Sequence, residues 1–163
     1  MPNWFPLTRV DAAFLDTAPV RYSETVDLPV PAERVWESIT SDESVGAWGL
    51  GVRVRWTTAR PFGVGARRDV DLPLRSMTIR EEFFEWDEGR SFAFAVYAAN
   101  RRIFRSFAER WEVEPTASGS KFTWTMAIEP APRSRWLLRA ARPLDSVTFG
   151  QMPRAARRYF KSG

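Results

Sequence analysis

From Val52 to Ile128 the apolar residues recur at every second position, in runs separated mostly by breaks of a few residues. A period of two is that of a strand with one buried face, and connections this short join only antiparallel neighbours. The runs are Val52 to Trp56, Ala66 to Leu72, Met77 to Trp86, Ser91 to Ala98, Ile103 to Glu114 and Lys121 to Ile128. Pro61-Phe62-Gly63-Val64-Gly65, Asp87-Glu88-Gly89, Asn100-Arg101 and Pro115 to Gly119 supply breaks between them. The chain is therefore expected to build an antiparallel meander with one apolar face.

What flanks the meander must cover that face. Tyr22 to Leu28 reads as one more strand, ended by Pro29-Val30-Pro31. Pro31 suits the first position of a helix, Glu33 complements its dipole, and Val35, Trp36 and Ile39 form its apolar stripe. Asp42 can cap a second short turn through Val45 and Trp48, which Gly46, Gly49 and Gly51 break. After Pro132 helical spacing returns: Trp136, Leu137, Leu138 and Ala141, then Phe149, Met152, Ala156 and Tyr159 or Phe160. Pro153 should kink this last helix or mark its start. Residues 1–20, with Pro2, Pro6 and Pro19, read as an irregular extension tacked down by Trp4, Phe5, Phe14 and Leu15.

Folding each hairpin about its turn assigns the faces. The last places Val113 opposite Phe122, Trp111 opposite Trp124, Glu109 opposite Met126 and Phe107 opposite Ile128. Folding about Asn100-Arg101 sets Phe94 beside Phe107 and Phe92 beside Glu109. A three-residue turn at Asp87 to Gly89 adds Phe84 and Glu82 to the same face, whereas a four-residue turn substitutes Phe83 and Glu81. The first is favoured.

The sequence contains neither cysteine nor histidine. That excludes disulfides, Ser-His-Asp and Cys-His nucleophile systems, thiolate or imidazole zinc sites and histidine-ligated haem. No metal site and no cofactor is expected; Asp69 and Asp71 alternate on one strand face, but two carboxylates without further oxygen ligands read as a solvated face. Proton transfer is left to carboxylates, tyrosines, lysines or water.

Of 24 basic residues all but Lys121 and Lys161 are arginine, and 133–161 holds eight of them against Asp145 alone. The stretch 133–142, with Trp136, Leu137 and Leu138 between arginines, has the composition for peripheral contact with an anionic membrane, or for a helix packed on the domain. Nucleic acid is not an expected partner, because the arginines are not interleaved with a defensible set of stacking aromatics. Met1 to Val20 does not resemble a signal peptide, no segment approaches the ~18–20 apolar residues of a membrane span, and the expected location is cytoplasmic.

The order strand, two short helices, meander and C-terminal helix resembles the START and Bet v 1-like (SRPBCC) superfamily, in its polyketide cyclase/dehydrase and lipid-transport branch. The residues that carry the resemblance are Val26-Asp27-Leu28-Pro29-Val30-Pro31-Ala32-Glu33-Arg34-Val35-Trp36, then Trp48, then Pro61 to Ala66. Glu109-Arg110-Trp111 with Gly119 to Trp124 completes it as the last hairpin. The resemblance implies an α+β helix-grip fold over residues 21–163, in which a curved antiparallel sheet and a long C-terminal helix enclose a cavity. It further implies that this cavity binds a hydrophobic small molecule or lipid. Two alternatives stand beside that role: a cyclase, aromatase or dehydratase acting in the same cavity without a cofactor, and a non-catalytic interaction domain with a filled core.

If the sheet curves round the last helix, the expected ligand-binding residues are Trp48, Trp56, Phe84, Phe94, Phe107 and Trp111. Trp124 and Met126 continue that lining, and Phe149 and Met152 close it. Glu109 is the sharpest feature, because an ionised carboxylate on an apolar face must be paired, hydrated or neutral. It reads as a catalytic acid or base, with Glu82 as a second; or it pairs with Arg105, Arg80 or Arg110, or a bulge turns it outward. In the enzyme reading Tyr97 could assist proton removal.

Overall fold

The structure is a computed structural model that describes residues 3–134 and 151–161. Eight strands form one antiparallel sheet: β1 (Phe5–Pro6), β2 (Val20–Leu28), β3 (Arg53–Trp56), β4 (Arg67–Asp71), β5 (Thr78–Asp87), β6 (Ser91–Ala99), β7 (Phe104–Thr116) and β8 (Gly119–Pro130). The order across the sheet is β2-β8-β7-β6-β5-β4-β3, with β1 paired to β6. The helices are α1 (Phe14–Thr17), α2 (Ala32–Thr40) and α3 (Gln151–Lys161), with 3-10 turns at Ser44–Trp48, Pro73–Arg75 and Pro132–Ser134.

The meander follows from the alternation. In the β7–β8 hairpin all four expected pairs occur: Val113 with Phe122, Trp111 with Trp124, Glu109 with Met126 and Phe107 with Ile128. Gly119 closes this hairpin at φ 152°, and a Cβ there would lie 2.1 Å from the Leu28 carbonyl oxygen, so the turn tucks under the end of β2 only as glycine. Charge fixes the β4–β5 register. Arg67, Arg68 and Asp69 stand opposite Glu82, Glu81 and Arg80, three successive pairs of opposite sign.

Two irregularities correct the sequence-based faces. A bulge lies between Phe83 and Glu85 of β5. Trp86 packs on the inner face, but beyond the bulge the inward positions become odd, namely Phe83, Glu81 and Ile79. Counting by twos from Trp86 therefore puts Phe84 and Glu82 on the wrong side. The second irregularity is that β6 and β7 pair only over Ser91 to Ala95, with Phe92 opposite Trp111 and Phe94 opposite Glu109, two residues away from the expected register. Beyond Ala95 the strands separate and the N-terminal segment enters the gap: Leu7 N–H donates to the Tyr97 carbonyl at 3.0 Å and Thr8 N–H to that of Arg105 at 2.8 Å.

That segment also covers the outer face. Leu15 of α1 is fully buried with Ala18 against Ala93, Ala95, Ala108 and Ala127, small side chains that let the chain lie close to the sheet; Phe14 and Phe84 border the patch. On the inner face α2 buries Val35, Trp36 and Ile39, with Pro31 immediately ahead of the helix rather than inside it. Trp48 meets Phe122 at 5.7 Å and Phe160 at 5.8 Å between ring centroids, which ties α3 to the 44–48 turn and the sheet. Phe149 and most of the basic stretch 133–142 lie outside the described residues.

Candidate functional site

The inner face does not close on itself. A cavity of about 490 Å³ lies between β3 to β8, the 44–52 segment and the beginning of α3. Its outer end is formed by the exposed Pro73 and Gln151 and the half-buried Leu50, Phe104 and Met152. Most of the wall is aliphatic or aromatic. Among the described lining residues only Arg68, Glu81 and Glu109 carry charge, and all three are buried.

β4 and β5 place two of these opposite each other. Arg68 Nε donates to Glu81 Oε2 at 2.5 Å, and both side chains are almost inaccessible. The guanidinium carbon lies 4.8 Å from the ring centre of Phe94, 5.0 Å from that of Phe83 and 5.3 Å from those of Trp56 and Trp111. A weakly hydrated planar cation suits such aromatic surroundings. Arg68 Nη1 also reaches the buried Ser44 hydroxyl at 3.4 Å, and that hydroxyl donates to the Ile39 carbonyl at 2.7 Å.

Glu109 is anchored differently from any of the three expected arginine pairings. Its Oε2 accepts the indole N–H of Trp111 at 2.7 Å and that of Trp124 at 2.9 Å. Trp111 is two residues further along β7, hence on the same face, and Trp124 is its cross-strand partner. Arg105 pairs with Glu129, Arg80 with Asp69 and Arg110 with Glu85 instead. Among the described residues none is hydrogen-bonded to Oε1 of Glu109. Glu109 is one of the residues lining the cavity, and the two indoles leave this oxygen to it.

Two carboxylates facing one guanidinium cannot both be ionised cheaply away from water. Burial pushes Glu81 up from its ordinary range. Glu109 is pushed up to about 7, first by burial and then by the negative charge of Glu81, against the two indole bonds and Arg68. The inner end of the cavity therefore holds a carboxyl group that gains and loses its proton near neutrality.

Phe94, Phe107, Trp111, Trp124, Met126 and Met152 line the cavity beside Glu109. Trp48 and Trp56 do not line it; Trp48 packs under α3, and Trp56 stacks on Phe62 at 3.8 Å behind Arg68. Glu82 lies outside, in hydrogen bonds to Arg9 at 2.7 Å and Arg67 at 2.6 Å that hold its carboxyl below the usual range. Phe84 is on the outer patch, and the Tyr97 ring lies beneath Arg9 and Arg67, away from the cavity. Sequence reasoning missed Arg68 as a site residue. Its signal was its place between Ala66 and Val70 on the inward side of β4, with Glu81 as the complementary charge on β5. Among the described residues no cluster could hold a metal ion, and no helix is long and apolar enough to cross a membrane.

A curved antiparallel sheet gripping a C-terminal helix over a cavity is the helix-grip architecture of Bet v 1-like proteins. Solved structures share it: Ara h 8.0201 superposes with a TM-score of 0.64 over 88% of this chain and 99% of its own, at 14% identity. The Zhui aromatase/cyclase of a Streptomyces strain gives 0.67 over 87% of this chain and 93% of its own, also at 14% identity. Residues 19–152 match the family described as polyketide cyclase/dehydrase and lipid transport, and the chain belongs to that family. Its relatives include the uncharacterised protein Rv2574 of Mycobacterium tuberculosis, 32% identical over 156 residues that span 95% of this chain and 93% of the relative. The uncharacterised Mycobacterium bovis protein Mb2604 matches with the same identity and the same coverage.

Proposed function

We propose that this protein binds a hydrophobic small molecule or lipid in the cavity, with the apolar wall supplying affinity and the Arg68–Glu81–Glu109 cluster orienting a polar group at the inner end. The observation that carries the reading is the cavity itself. Its volume of about 490 Å³ lies inside the ~300–1,000 Å³ range of small-molecule sites, and a largely apolar wall with a few convergent polar groups is their usual composition. The family match supports a ligand-holding role in the same direction. Native mass spectrometry of freshly purified protein, before and after organic extraction, together with titration by the apolar dye 1-aminoanthracene, tests it. Retained ligand or saturable dye binding is expected; an apo mass with no dye uptake overturns it.

Catalysis in the same cavity is favoured by one observation, the cavity-facing Oε1 of a carboxyl that titrates near neutrality. In that reading Glu109 takes a proton from the carbon next to a ligand carbonyl. Faster hydrogen–deuterium exchange at that carbon of a bound aryl ketone, lost in Glu109→Gln, is expected; exchange no faster than in buffer removes this role.

A further inference from the structure

The chemistry of the inner end specifies more than an apolar guest. Glu109 is nine-tenths buried on the cavity wall, and both indole N–H groups fall on its Oε2, which leaves Oε1 as an acceptor with no donor among the described residues. Glu81 stands across the same space on β5 and is committed to Arg68 of β4. Among the described residues these are the charged groups that face Glu109: one more carboxylate and one guanidinium already paired to it. A ligand carboxylate entering here would be the third anion around the one described cation, among side chains that are themselves buried. A ligand ammonium would lose its own hydration on entering, but once Glu109 is ionised the described cluster is net negative and turns away anions rather than cations. A ligand hydroxyl donates to Glu109 Oε1 and brings no charge.

We infer that the cavity favours hydroxyl-bearing apolar molecules, such as a phenol, an enol or a ring alcohol, by donation of the ligand O–H to Glu109 Oε1, and that it disfavours fatty acids and other carboxylates. This inference rests on the cavity being a ligand site. Since Glu109 titrates near neutrality, the preference strengthens above that range, where the group is an acceptor only.

Three molecules on one skeleton test it: biphenyl, 4-hydroxybiphenyl and biphenyl-4-carboxylate, each displacing 1-aminoanthracene at about pH 8, where Glu109 is mostly ionised. 4-Hydroxybiphenyl is expected to bind about tenfold or more tighter than biphenyl, the worth of one hydrogen bond to a charged group, and the carboxylate more weakly than biphenyl. In Glu109→Gln, which keeps an oxygen for the two indoles and turns an amide N–H into the cavity, the hydroxyl can only accept a neutral hydrogen bond and loses most of its advantage, while the carboxylate gains. Biphenyl binding with no gain from the hydroxyl, or a carboxylate equal to or better than the phenol in the native protein, overturns the inference while leaving the cavity reading intact. Failure of the dye and all three molecules to bind overturns both. If the variant does not fold, judged by near-ultraviolet circular dichroism, the ranking in the native protein still decides.

Discussion

Replacing Glu109 by Gln should stabilise the protein increasingly as the pH rises from about 4.5 to about 7, and by its full amount above that range. The carboxyl is raised from an ordinary 4.5 to about 7, so the folded chain holds this proton more tightly than the unfolded chain does. Stability from this group is then complete below 4.5, declines between 4.5 and 7, and stays at its reduced level above. At 1.36 kcal/mol per tenfold change in proton affinity, ionising Glu109 costs the fold about 3 kcal/mol once the pH is well above 7, and only about 1 kcal/mol near pH 5. Gln cannot ionise, fills the same volume and can still accept from Trp111 and Trp124. It also relieves Glu81 of a neighbouring negative charge, which acts in the same direction. Urea unfolding of both proteins, at about pH 5 and about pH 8.5, should give a difference in unfolding free energy that grows by about 2 kcal/mol in favour of the variant. A difference that is independent of pH, or that favours the native protein more at high pH, refutes the reasoning that Glu109 is a desolvated carboxyl.

Other substitutions test the remaining parts of the site. Arg68→Met leaves Glu81 buried without its cation and should destabilise by about 3–5 kcal/mol, while the paired change Arg68→Met with Glu81→Leu should recover most of that in chemical denaturation. Glu82→Gln acts on the outer face, at a partly exposed pair with Arg9 and Arg67. It should change stability by no more than about 1 kcal/mol and leave 1-aminoanthracene binding unchanged, and a loss of binding would contradict the face assignment. Val70→Phe adds bulk to the cavity wall from β4; dye affinity should fall about tenfold or more without a lower Tm, because the added ring fills space that is otherwise empty.

The strands could be read from the sequence because a period of two and hairpin-length breaks act locally, and the β7–β8 register came out residue for residue since its turn is tight. Glu109 was legible for the same reason, as a charge among Phe107, Trp111 and Val113 on one face. What was not legible depended on events that alternation cannot register. The bulge in β5 exchanges Phe84 and Glu82 for Phe83 and Glu81 with no change in composition. The separation of β6 from β7 requires knowing that residues 5–8 enter between them, a long-range contact. The partners of Glu109 were sought among arginines because charge suggests charge, but indole N–H groups at the same sheet level hold it instead. Arg68 was passed over among neighbouring charges, although its alternation with Ala66 and Val70 marked it as inward.

The most direct measurement of the central claim is a nitrogen–proton NMR titration of the tryptophan indole signals with 4-hydroxybiphenyl. The sequence has eight tryptophans, and Trp→Phe variants assign the signals. The Trp111 and Trp124 signals, whose N–H groups rest on Glu109 at the cavity's inner end, should move to saturation. Those of Trp36 and Trp86, which donate to Glu88 at 2.9 and 2.7 Å outside the cavity, should stay in place. Shifts confined to Trp36 and Trp86, or no saturable shift at Trp111 and Trp124, would contradict the account.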